Sequence, residues 1–223
     1  QTLDSAEDAI TGEGGCFAHD ATVKTAGGDR ALISSLVPGD MIESHSGGFA
    51  RVYFTHDHAE PMEIRTLKWS DGELQLTPDH MMPVFTDVCG AKFCAEARQV
   101  RARDVRAGDS IYTADGARTV MGVEHARKPA RYVLVEGGIL TVSGAVASEL
   151  ATSAGVIETA GFRFLDAVGL LHLKPVAAAI TAALECPALR VAENMLRPWI
   201  HAAPKATRAV SLHRFMAQPI ASV

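Results

Sequence analysis

Hydrophobic and polar positions change rhythm once along this chain, near residue 150. Before that point the apolar residues come in short β-type runs: 21–25, 41–43, 50–55, 62–68, 73–77, 111–113, 131–135 and 139–142. Gly-Gly, Pro-Gly-Asp, Asp-Gly and Ala-Gly-Asp turns separate them, and short strands with regular turn signals predict an all-β domain. Beyond residue 150 the sequence becomes rich in Ala and Leu. Its apolar positions fall at helical spacing: Phe164, Val168 and Leu171, then Val176, Ile180 and Leu184, then Leu189, Ala192, Leu196 and Trp199. Pro175, Pro187, Pro198 and Pro204 divide this part into short helices. Residues 1–14 are polar and acidic and end in Thr-Gly-Glu-Gly, a flexible lead-in. The expected organisation is a lead-in over 1–15, a β domain over 16–150 and a helical region over 151–223.

The β region repeats itself. Leu36-Val37-Pro38-Gly39-Asp40-Met41-Ile42 returns as Val105-Arg106-Ala107-Gly108-Asp109-Ser110-Ile111. Gly48-Phe49-Ala50-Arg51-Val52 returns as Gly116-Ala117-Arg118-Thr119-Val120, and the stretch from Asp71 to Thr77 as Gly137 to Ser143. The offsets are 69, 68 and 66 residues, in the same order each time. That period is too long for a solenoid. It predicts two pseudo-symmetric halves forming one β body, with a site where they meet.

Composition narrows the functional classes. The 223 residues are 48% hydrophobic and 21% charged, with a formal net charge of −5. Disorder and disulfide-dense scaffolds are excluded. No basic stretch tracks phosphates, so no nucleic-acid partner is expected. The longest apolar run, 175–184, is half the length that spans a bilayer. The chain opens on Gln1 without a signal segment, which reads as a piece of a longer precursor with any targeting signal upstream. Cys89 and Cys94 bracket a tight turn, compatible with a local disulfide or with two small buried side chains. They lack a second ligand pair at zinc spacing, and no metal site is expected.

The two copies differ where chemistry is possible. The first ends Thr77-Pro78-Asp79-His80, the second Ser143-Gly144-Ala145-Val146. A hydroxyl and an imidazole on one half alone is what a single catalytic centre on a duplicated scaffold produces. An ordinary Thr-capped turn with a surface His explains the same four residues. Gly14-Gly15-Cys16-Phe17 supplies the second clue. A thiol there can attack its own preceding carbonyl, that of Gly15, and turn the amide into a thioester. Gly15 offers no side chain to obstruct the approach. The thiol, with a pKa of about 8.5, needs help in losing its proton. The departing amine needs a proton, which an imidazole can supply.

Taken in order, Gly-Cys-Phe, Leu-x-Pro-Gly-Asp, Thr-Pro-Asp-His and Val-Ala-Ser resemble the Hedgehog autoprocessing domain. That domain belongs to the Hint superfamily, shared with inteins. The resemblance covers roughly residues 14–150 and implies a pseudo-two-fold, horseshoe-like all-β fold with self-cleavage between Gly15 and Cys16. It implies Cys16 as nucleophile, His80 as the acid for the leaving nitrogen, and Thr77 hydrogen-bonded near the scissile peptide. It also implies a secretory or extracellular location. An intein finishes by cyclising an Asn at its C-terminal junction. The one Asn here is Asn194 and the last residues are Ile220-Ala221-Ser222-Val223, so splicing within this chain is not expected.

That leaves an outside nucleophile. In animal Hedgehogs it is the cholesterol hydroxyl, activated by an Asp. The corresponding stretch is Val52-Tyr53-Phe54-Thr55-His56-Asp57-His58. Alignment on Phe54 puts His56 at the base, and a one-residue slip puts Asp57 there. Ser148-Glu149 stands where that family has Ser-Cys. The helical region resembles the sterol-recognition segment in position and amphipathic character. Leu170, Leu171, Val176, Ile180, Leu184, Leu196, Trp199 and Phe215 are candidates to line a lipid groove or touch a membrane surface. A small helical cap is the alternative. The expected co-substrate is a sterol or other lipid alcohol, with water second and no cofactor. An unreactive Hint-like binding scaffold is the rival reading. His19, His45, His125, His172, His201 and His213 read as structural or solvent-facing.

Overall fold

The computed structural model describes residues 15–45, 47–94, 96–149 and 155–184, all within one compact unit, Glu13–Glu185. The fold is mainly β with a small helical C-terminal part, as the apolar rhythm predicts. The first half contains β1 (Cys16–Ala18), β2 (Thr22–Lys24), β3 (Arg30–Leu32), β4 (Met41–Glu43), β5 (Phe49–Asp57), β6 (Met62–Trp69) and β7 (Gly72–Leu76). The second contains β8 (Met81–Val84), β9 (Arg98–Arg101), β10 (Ser110–Thr113), β11 (Gly116–Thr119), β12 (Gly122–Lys128), β13 (Ala130–Val135), β14 (Ile139–Val142) and β15 (Ala145–Ser148). Helices α1 (Gly155–Ala167) and α2 (Lys174–Leu184) follow. No described helix is long and apolar enough to cross a membrane.

The halves interlock. A seven-stranded sheet runs β12-β6-β7-β1-β13-β5-β4, mixing strands from both, and a second sheet runs β14-β15-β10-β8-β9 with β11 on β10. The duplication is visible hydrogen bond by hydrogen bond. Asp40 accepts the Val37 amide at 2.8 Å and Asp109 accepts the Arg106 amide at 2.8 Å. Gly39 and Gly108 turn these loops at φ of 106° and 98°, a region that favours glycine. Each then donates its amide to the following strand, Gly39 to Val52 and Gly108 to Val120, both at 2.8 Å.

A pair of arginines extends the symmetry beyond the echoes in the sequence. Arg131 on β13 donates to the carbonyls of Ser34 at 2.5 Å and Leu36 at 2.9 Å, closing the 3-10 turn Ile33–Ser35. Arg65 on β6 donates to the carbonyls of Arg103 and Val105, closing the matching turn Ala102–Asp104. Each half therefore caps the other's turn. Backbone acceptors that would otherwise be buried unpaired are satisfied across the pseudo-two-fold.

The core is continuous through both halves, with Phe17, Leu67, Leu74, Leu76, Val133 and Leu140 at its centre. On the other face of the large sheet a second cluster gathers Cys16, Tyr53, Phe54, Tyr132, Phe162 and Leu171. Here the structure corrects the helical pattern. Phe164 and Val168, expected to face inward, are 65% and 49% exposed, while Phe162 is buried. Helix α1 is turned by its anchors: Phe162 packs on Phe54 at 4.7 Å between ring centroids, and Asp166 pairs with Arg51 at 2.5 Å. Gly169, at φ 74°, ends the helix.

The reciprocal caps set a stability expectation. Arg131→Lys keeps the charge but replaces a fork of donors by one ammonium, which cannot reach the same carbonyls. Urea unfolding should show a loss of about 2 kcal/mol, the scale of a charged hydrogen bond to a buried acceptor. An unchanged midpoint would mean the caps contribute nothing.

Candidate functional site

β1 is three residues long, yet it lies fourth of the seven strands in the large sheet. Its insertion between β7 and β13 buries Gly15 and leaves Cys16 with no exposed surface. Cys16 is a buried thiol outside any disulfide. Its backbone is gripped by one residue: the Cys16 amide donates to the Thr77 hydroxyl at 3.0 Å, and the Thr77 amide donates to the Cys16 carbonyl at 2.9 Å. The nitrogen that Thr77 holds is the nitrogen of the Gly15–Cys16 peptide.

The turn after β7 brings His80 to the same place. Its amide donates to the Thr77 carbonyl at 3.1 Å, which makes Thr77-Pro78-Asp79-His80 a tight turn. The second half holds that turn from outside. Ala102 and Arg103 donate their amides to the His80 and Pro78 carbonyls at 2.8 Å each, and Arg103 pairs with buried Asp79 at 2.8 Å. His80 is fully buried, its ring 4.3 Å from that of Phe17. Nε2 lies 2.6 Å from the Ser148 carbonyl. A carbonyl only accepts, so Nε2 carries the hydrogen and Nδ1 of the neutral ring carries the lone pair. Burial pushes the imidazole down to about 4, against a smaller upward pull from the Ser148 carbonyl and the Cys16 backbone. At neutral pH His80 is uncharged and its Nδ1 is the atom open to a proton.

Strand register separates His56 from Asp57. Tyr132 on β13 is paired with Cys16 on one side and with His56 on the other. Directly opposed residues of an antiparallel ladder share a face, about 5 Å apart per strand, so Cys16 and His56 share one face at about 10 Å. Asp57 pairs with Arg131, and Arg131 with Phe17, on the opposite face. There its carboxylate binds Arg131 at 2.9 Å and His19 at 2.9 Å. The structure thus brings Cys16, Thr77 and His80 together, sets His56 two strands away on the face that Cys16 occupies, and leaves Asp57 on the other face. His56 is buried and stacks edge-on against His58, with ring centroids 5.3 Å apart.

Of the candidate acceptor residues, Leu171 is buried in the Cys16 cluster and Ile180 packs against it. Val176 is half-buried and Leu170 is 37% exposed. The side chain of Leu184, and Leu196, Trp199 and Phe215 altogether, lie outside the described residues. Cys89 and Cys94 form a disulfide with Cα atoms 5.3 Å apart, which resolves the open choice between a bridge and two free thiols. Together with Glu96 they are the one donor cluster of metal-binding proximity among the described residues, and their sulfurs are already bonded to each other. His125 is exposed and pairs with Glu63 at 3.2 Å.

Sequence reasoning misses Glu149, treated there only as a missing cysteine. It is 1% exposed, accepts the Val135 amide at 2.8 Å and pairs with Arg163 of α1 at 2.8 Å. Burial pushes its carboxyl up, opposed by Arg163 and the Val135 amide. An acid two residues after the apolar run Ala145-Val146-Ala147 is the signal that marks it.

The depressed imidazole has a measurable consequence. The unfolded chain binds a proton at His80 near pH 6.5, the folded chain only near 4, so stability falls as pH drops through that window. In a Cys16→Ala background, the chain with His80 should lose about 3 kcal/mol more between pH 7 and pH 4 than the His80→Gln variant, measured by urea unfolding. Equal losses would show that the ring is not held neutral.

No curated protein matches the chain. Among solved structures the gp41-1 intein superposes with a TM-score of 0.51 at 15% identity, covering 61% of this chain and 99% of that one. A DnaB intein from Synechocystis sp. PCC 6803 superposes with a TM-score of 0.50 at 13% identity, covering 60% and 97%. These likenesses establish the fold. The family model described as the Hint module matches residues 4–135, more than half the sequence, and the chain belongs to the Hint family.

Proposed function

We propose that this is a self-cleaving domain in which Cys16 attacks the Gly15 carbonyl and an outside alcohol then takes the acyl group. The observation that carries the reading is the grip on the scissile nitrogen: Thr77 bonds it at 3.0 Å, and neutral His80 lies beside the same backbone. In the first step the C–N bond of Gly15–Cys16 breaks, a C–S bond forms, and a proton passes from Sγ to the Cys16 nitrogen. A neutral imidazole can take that proton and return it, which a permanently cationic ring cannot. In the second step an alcohol attacks the thioester carbonyl, Cys16 leaves as a thiol, and Gly15 becomes the esterified C-terminus of the released segment.

His56 is the base for that second step in this reading, because it shares the Cys16 face of the sheet. An apolar acceptor is favoured by what surrounds it. Tyr53, Phe54, Phe162 and Leu171 form the cluster that includes Cys16, and Phe164, Val168 and Leu173 extend an apolar surface along the helical part. A sterol or comparable lipid alcohol fits that environment. Burying about 300 Å² of its surface is worth on the order of 7 kcal/mol before association costs.

The steps should separate by mutation in the full chain. Cys16→Ala should release nothing. His80→Ala should slow release by dithiothreitol about 10²- to 10⁴-fold, the range of a positioned acid or base. His56→Ala should still release residues 1–15 with dithiothreitol, yet lose transfer to cholesterol as read by the mass of the fragment. Transfer that survives His56→Ala but not Asp57→Ala would overturn the assignment of the base. Release from Cys16→Ala at the wild-type rate would overturn the mechanism.

A further inference from the structure

We propose that Glu149 and Arg163 are positioning residues for the first step, acting through the Ser148 carbonyl to hold His80 in its Nε2–H tautomer. The inference rests on the self-cleavage reading for the identity of that step. Its physical content is the geometry of one peptide unit.

The Ser148–Glu149 peptide is planar, so its carbonyl and its amide point in opposite directions as one rigid plate. The carbonyl accepts from His80 Nε2 at 2.6 Å. The amide donates to the Gly138 carbonyl at 2.9 Å. Rotation of the plate would lose both bonds at once. What stops rotation is the Glu149 side chain, buried and tied at both oxygens: Oε2 to the Val135 amide at the end of β13, Oε1 to Arg163 on α1. The packing leaves no slack. A Cβ at Gly138 would lie 3.0 Å from Arg163 Nη2 and 3.3 Å from Glu149 Oε1, and Gly138 is at φ +74°. Tyr53 lies against the Arg163 guanidinium on the same side.

The consequence concerns α1. The sequence assigns the region beyond residue 150 to the acceptor alone. Arg163 instead connects it to the histidine of thioester formation, through Glu149 and one carbonyl. Loss of that connection lets the plate turn, frees the Nε2 hydrogen of its acceptor and admits the tautomer with hydrogen on Nδ1. That tautomer has no lone pair at the atom that receives the proton.

The test separates positioning from simple docking of the helix. Arg51 also holds α1, through Asp166, but touches neither Glu149 nor Ser148. In the full chain, Glu149→Gln and Arg163→Met should each slow dithiothreitol-induced release about 10- to 100-fold, the scale of a misplaced catalytic group. Arg163→Lys should recover part of the rate, and Arg51→Met should stay within about 3-fold of wild type. If Arg163→Met alone leaves the buried carboxylate too costly to fold, the double variant Glu149→Gln/Arg163→Met removes both charges and is measured instead. Nitrogen NMR of ¹⁵N-histidine in Cys16→Ala chains gives a readout independent of cleavage. It should show one Nε2–H tautomer for His80, and a mixture once Glu149→Gln is added. An unchanged spectrum, or equal slowing by Arg51→Met, would overturn the proposal. A wild-type chain that releases nothing would overturn self-cleavage, and the NMR comparison would still decide the positioning role.

Discussion

The structure depends on where a three-residue strand is allowed to sit. Cys16 is a junction residue placed in the middle of a seven-stranded sheet, buried, with its amide and carbonyl both tied to Thr77. A backbone held there cannot leave its polar groups unpaired, so a partner must reach them from the neighbouring loop. The tight turn from Thr77 to His80 is that partner, and the need to hold the turn explains much else. The 3-10 segment of the second half bonds it from below, Arg103 neutralises Asp79, and Arg65 in turn fastens the Arg103 and Val105 carbonyls. Duplication supplies the scaffold, and loss of symmetry at one turn sets Thr77 and His80 beside the Cys16 backbone.

Burial also explains the electrical character of the site. A histidine inside the core cannot remain charged cheaply, and His80 is accordingly depressed to about 4 by desolvation. The same environment that makes imidazolium unfavourable makes it a strong donor once it forms. In the proposed first step, such a ring would readily return to the leaving amine the proton it takes from the thiol. Neutrality at rest and the acidity the proposed step requires have one cause.

Much of this was legible in the residues. The eight apolar runs all fall on strands, and the three echoes mark loops whose hydrogen bonds repeat across the halves. What escaped has physical reasons. β12 and β9 carry Glu-His-Ala-Arg-Lys and Arg-Gln-Val-Arg, because sheet edges face water and need no apolar alternation. His56 and Asp57 are adjacent, and only pairing register reveals which shares the thiol's face. The helix face was misread because α1 is turned by Phe162 and by ion pairs through Arg163 and Asp166, not by its most regular apolar row. Glu149 looked like the absence of something. Its partners come from β13 and α1, and nothing local announces them.

The central claim is that the Gly15–Cys16 amide becomes a thioester without the chain being cut. Gly15–Cys16 is the single Gly-Cys step in the sequence, so glycine labelled with ¹³C at the carbonyl and cysteine labelled with ¹⁵N give one coupled amide. Rapid mixing with dithiothreitol, followed by acid quench, NMR and intact mass, follows that coupling and the chain together. The account predicts a fraction of full-length mass in which the coupling has disappeared, preceding release of residues 1–15. A coupling that persists in every full-length molecule and in the products, with the break at another bond, would contradict it.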